Sequence, residues 1–71
     1  MNEKFIISRT TVFDGKECIE YYKLGKYVEW VACKIDATHF DNYPTKTITI
    51  LDWKGQSEKP ILYQVEKIFV S

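Results

Sequence analysis

The dipeptide Asp14-Gly15 separates two runs of β-branched and aromatic residues, and this break constrains the chain more than any other feature. A two-residue type I′ hairpin needs positive φ at both central positions, which Asp tolerates and Gly adopts freely. With those two residues as the loop, Arg9 faces Glu20, Ile7 faces Tyr22 and Phe5 faces Leu24. A second break, Gly25-Lys26, fits a type II′ turn with Gly first. It sets Tyr21 opposite Trp30, Ile19 opposite Ala32, Cys18 opposite Cys33 and Glu17 opposite Lys34. An aromatic pair and two opposite-charge pairs fall into register, each worth about 0.2–1 kcal/mol.

Five runs carry the strand signature of β-branched and aromatic residues between turn residues. They are Lys4–Val12, Glu17–Leu24, Tyr27–Ile35, Thr45–Leu51 and Ile61–Val70. Their arrangement predicts an all-β fold, a five-stranded antiparallel meander curled into a small open barrel or bent sheet. The last run also supports an alternative. Ile61, Leu62, Val65, Ile68 and Phe69 recur at helical spacing, Ser57 is a fitting cap, and Pro60 is tolerated in a first turn. An α+β fold with a C-terminal helix at about 58–69 therefore competes. At 71 residues the chain has room for one domain.

Alternation sorts the first three runs onto two faces. Ile6, Val12, Ile19, Tyr21, Val28, Trp30 and Ala32 form the expected core face. The other face carries Phe5, Ile7, Tyr22, Tyr27 and Val31, with Arg9, Glu20 and Glu29 in its middle. Charges at the centre of an otherwise apolar face argue that it is solvated or meets a partner, and its apolar area favours the partner. The competing arrangement folds the fourth or fifth strand over it as a second layer, with the Arg9–Glu20 pair at the rim. Those eight residues are the candidate partner-binding set.

Composition excludes several function classes. Ten basic and ten acidic residues cancel, so the chain lacks the field that drives non-specific binding to nucleic acid or anionic lipid. No apolar run is long enough to cross a bilayer, and the N-terminus has no signal-peptide core, so a cytoplasmic location is expected. Two cysteines without CxxC spacing read as reduced, packed thiols that neighbour each other across the second hairpin.

Catalytic constellations are thin. His39, the sole histidine, lies between Asp36 and Asp41 in a loop, far short of a three-ligand zinc site. Phosphate-binding glycine loops, GxSxG and HExxH are all absent. No metal or other cofactor is expected. Tyr22, Tyr27, Trp53 and Tyr63 mixed with Lys23, Lys26, Lys54 and Lys59 offer a stacking platform for single-stranded nucleic acid, which the neutral charge disfavours. What remains is a small non-catalytic protein-binding module: an inhibitor, adaptor or accessory subunit of the kind phages and mobile elements encode. Its partner would be another protein or a second copy of the chain.

Overall fold

The computed structural model describes residues 2–55 and 61–70. The chain forms strands β1 (Asn2–Phe13), β2 (Lys16–Leu24) and β3 (Val28–Val31), then a single 3-10 turn at Lys34–Asp36. Helix α1 (Thr45–Gly55) and strand β4 (Ile61–Val70) complete it. The sheet is antiparallel throughout, in the order β3-β2-β1-β4. The fold is mostly β, but the strands do not close into a barrel. The five-stranded meander is corrected to four strands, with the last crossing back to lie beside the first.

The first hairpin forms as the turn chemistry requires. Asp14 and Gly15 have φ of 53° and 76°, and Arg9 faces Glu20 in the resulting register. The second hairpin slips by one residue. Leu24 pairs with Val28, leaving Gly25, Lys26 and Tyr27 as the loop, and Gly25 does not take the positive φ that type II′ demands. Trp30 therefore faces Tyr22, not Tyr21, and Val31 faces Tyr21. The cross-strand signals are degenerate here. The slipped register also yields an aromatic pair, Tyr22 with Trp30, and an opposite-charge pair, Lys23 with Glu29. What separates the two is burial: the observed one puts Trp30 on the same face as Ile7 and Tyr22, where the core lies.

β1 and β2 part company beyond Ser8 and Tyr21, so the expected Ile7–Tyr22 and Phe5–Leu24 pairs do not form. The segment after the 3-10 turn wedges between the strands instead. Phe5 and Phe40 exchange two backbone hydrogen bonds of 2.9 and 2.8 Å. Thr38 N–H donates to the Tyr22 carbonyl at 2.9 Å, and Thr38 Oγ1 accepts from Leu24 N–H at 2.7 Å. A Lys4–Asp41 ion pair fastens the end of this wedge to β1.

Residues 45–51 are helical where a strand was expected. Five of the six residues from Thr45 to Ile50 are β-branched, which reads as a strand and costs a few tenths of a kcal/mol each in a helix. Packing overrides the propensity. Pro44, Ile48 and Leu51 fall at helical spacing; Pro44 and Ile48 are buried, and Leu51 packs against the cluster that Ile48 forms with Ile7 and Tyr22. The Pro44 carbonyl accepts the Ile48 N–H at 3.0 Å, opening the helix directly after a residue suited to a helix start. Residues 61–70 form a strand, which overturns the C-terminal helix; residues 58–60 of that alternative lie outside the described residues.

Because α1 and Phe40 cover the face bearing Phe5, Ile7 and Tyr22, the two faces exchange roles relative to expectation. Ile7, Tyr22 and Ile48 form the core cluster, with Trp30, Phe40, Leu51, Tyr63 and Val65 packed around it. Val12 and Ile19, expected in the core, lie exposed on the opposite face. That face is partly sheltered. Ile6 and Ser8 at its middle are buried, and Lys34 reaches Glu66 at 3.1 Å while lying 5.9 Å over the Tyr21 ring.

Candidate functional site

Tyr22 is the floor of the site. Trp30 meets its ring edge-on at 5.7 Å and Phe40 stacks on it at 6.1 Å. Both contacts follow from backbone pairing: β3 places Trp30 beside Tyr22, and the Phe5 bridge places Phe40 on the same face. α1 crosses above, turning Ile48 into the core and Thr47 and Ile50 towards β3. Between helix and strand runs a groove of about 180 Å³ lined by Tyr22, Val28, Thr47, Ile50 and Leu51. That is smaller than the several hundred Å³ a small-molecule site occupies, and its lining is mostly apolar, with the Tyr22 and Thr47 side chains carrying its hydroxyls.

The groove opens onto an apolar rim. Leu24, Val28 and Ile50 are each about half exposed, at 55%, 51% and 53%, and Tyr27 in the adjoining loop is 72% exposed. The rim adjoins the outer edge of β3, which pairs with nothing among the described residues. Phe5 directs its backbone groups at Phe40, and strict alternation then carries through β1 and β2. Tyr21 and Lys23 bond to Val31 and Glu29, so Val28 and Trp30 turn their N–H and C=O groups outward from β3. Their side chains lie on the groove side.

At the other end of the same face the guanidinium of Arg9 lies 4.2 Å from the centre of the Trp30 ring and pairs with Glu20. Trp30 in turn packs on Tyr63 at 5.9 Å. The Arg9 Nε is buried without a hydrogen-bond partner among the described residues. A planar cation sandwiched in this way closes the end of an apolar face without leaving its charge unpaired.

The eight candidate residues are divided by this geometry. Ile7 and Tyr22 are buried in the core, and Phe5 packs edge-on against Tyr43 at 5.9 Å. Arg9 and Glu20 form the half-buried pair just described. Tyr27 stands in the exposed loop, and Glu29 and Val31 lie on β3 with side chains on the opposite face. Thr47, Ile50 and Leu51 were missed because their segment reads as a strand; the Pro44, Ile48, Leu51 spacing is the signal that reveals the helix.

The remaining constellations disperse. His39 Nε2 lies 3.4 Å from the Lys34 carbonyl, and Asp41 is engaged by Lys4. That ammonium holds the Asp41 carboxyl below its usual range. Among the described residues no three His, Cys, Asp or Glu side chains converge as a metal site would. Cys18 and Cys33 are free and exposed; the register slip and the early end of β3 remove their expected pairing. Of the proposed stacking aromatics, Tyr22 is buried and Tyr63 packs on Trp30, while Tyr27 and Trp53 are exposed on separate elements. Lys59 lies outside the described residues. No described helix is long and apolar enough to cross a membrane. No protein-family model, curated protein or solved structure matches the chain.

Proposed function

We propose that the chain is a small non-catalytic protein-binding module that takes an extended apolar segment of a partner protein into the groove between β3 and α1. The segment adds to the sheet along the free edge of β3, where the Val28 and Trp30 backbone groups supply hydrogen bonds and alternate side chains enter the groove. The observation that carries this reading is the coincidence of three features in one place: an unpaired strand edge, an apolar groove beside it, and a rim of half-exposed Leu24, Val28 and Ile50. Tyr27 at the loop supplies an aromatic anchor of the type interfaces favour. Because β3 is four residues long, the added strand is short and the complex is expected to be transient.

The test is to pan a display library of random linear peptides against the full chain and against a variant carrying Val28→Glu and Ile50→Glu. Peptides rich in β-branched and aromatic residues that bind the parent and lose the variant, with unchanged circular dichroism, support the reading. Absence of binders, or binders indifferent to the double substitution, contradicts it.

A further inference from the structure

β4 is the other edge of the sheet, ten residues long, and nothing among the described residues pairs with its outer side. Its backbone polarity follows from the same alternation. Phe5 points its N–H and C=O at Phe40, away from β4, so Phe5 and Lys67 form a non-hydrogen-bonded pair. The register between β1 and β4 runs unbroken from Asn2–Val70 to Thr11–Ile61. Hence Ile61, Tyr63, Val65, Lys67 and Phe69 all present both backbone groups to the free edge. A long, regular, apolar edge of this kind is a template for another strand.

We propose that this edge pairs with β4 of a second copy, in a two-fold antiparallel register centred on Val65, giving a continuous eight-stranded sheet. This edge lies across the sheet from the groove, and pairing along it does not require the groove. A two-fold axis normal to the sheet keeps each face continuous, so a residue can face only residues of its own side-chain parity. Few registers then remain. Centring on Glu66 opposes two carboxylates, and centring on Lys67 opposes two ammonium groups. Centring on Val65 opposes no like charges.

In that register Gln64 faces the copy's Glu66 and can donate its amide to the carboxylate. Tyr63 faces Lys67, Leu62 faces Ile68, and Ile61 faces Phe69. Leu62 and Phe69, which are 55% and 62% exposed in the single chain, thus each gain an apolar neighbour, one on either face of the sheet. The five outward-facing residues of each strand supply about ten backbone hydrogen bonds across the axis. Moving the centre to Gln64 leaves Phe69 without a facing residue on β4 and sets Leu62 against Glu66. The Val65 register is therefore the one that satisfies charge and apolar pairing together.

Gln64 is exposed and makes no side-chain hydrogen bond among the described residues, so it tests the register without disturbing the fold. Sedimentation of the full chain across micromolar to submillimolar concentration should show a monomer–dimer equilibrium. Gln64→Glu sets a carboxylate against Glu66 twice per dimer and should weaken dimerisation roughly tenfold. Gln64→Lys should tighten it. In parallel, amide exchange at Ile61, Tyr63, Val65, Lys67 and Phe69 should slow as concentration rises, and the Val28→Glu, Ile50→Glu groove variant should dimerise normally. A chain that stays monomeric throughout, or a dimer that both Gln64 substitutions leave unchanged, overturns the proposal whatever becomes of the groove.

Discussion

Ile48→Ala asks whether residues 45–51 are held as a helix or as a strand. Ile48 is buried against Ile7 and Tyr22, whereas Ile50, two residues on, is half exposed at the groove. In a helix those positions lie on nearly opposite sides; in a strand they share a face. Removing a buried isoleucine side chain costs about 2–5 kcal/mol, and the better helix propensity of alanine returns roughly 0.4 kcal/mol. The expected net loss is about 2–4 kcal/mol, against a total of roughly 3–5 kcal/mol for a core this small. Urea unfolding followed by tryptophan fluorescence and circular dichroism should show the midpoint falling by roughly 2 M or the protein already largely unfolded. Ile50→Ala should cost no more than about 1 kcal/mol, since its side chain keeps half of its water contact. Equal losses at the two positions would refute the helix and the groove built on it.

Other expectations follow from the ion pairs, the turn and the thiols. Arg9→Ala should cost about 1–2 kcal/mol by losing the Trp30 and Glu20 contacts, discounted because both ionic side chains are partly solvated; a double-mutant cycle with Glu20→Gln measures the coupling. The Asp41 carboxyl is held below its ordinary 3.8 by its hydrogen bond to Lys4, so its contribution is present above that pH and is lost as pH falls through the lowered value. Asp41→Asn should flatten the acid limb of a stability–pH profile. Lys34 is raised above its ordinary 10.5 by its hydrogen bond to Glu66, so its contribution is complete below that pH and is lost as pH rises through the raised value; Lys34→Met should flatten the alkaline limb. Gly15→Ala, at a φ of 76°, should destabilise by about 1 kcal/mol in thermal unfolding. Both cysteines should alkylate in the native protein without reductant, and resistance of either would contradict their exposure.

How much of this was legible in the residues depended on where the deciding interaction lay. The Asp14-Gly15 hairpin was readable because its determinants are local: two residues fix the turn, and the turn fixes Arg9 opposite Glu20. The second hairpin was not, since Tyr21 and Tyr22 are adjacent and either supplies an aromatic partner for Trp30. The choice between them was made by Ile7 and Ile48, distant in sequence. Residues 45–50 were misread because β-branched side chains carry strand propensity, while the burial that overrides it comes from Ile7 and Tyr22, on strands distant in sequence. The Phe40 wedge left no local signal, yet it separates β1 from β2 and stacks on Tyr22. Once helix and wedge cover one face, the expected binding face becomes the core, and exposed apolar surface reappears at the β3 edge.

The most direct test of the binding account is a titration of the isotopically labelled full chain with a peptide selected on it, followed by amide chemical shifts and exchange. The account predicts shifts concentrated at Leu24, Val28, Trp30, Thr47 and Ile50, with the outward amides of Val28 and Trp30 becoming protected. Shifts centred instead on Val12, Ile19 and Leu62, with Val28 and Trp30 still exchanging freely, would contradict it.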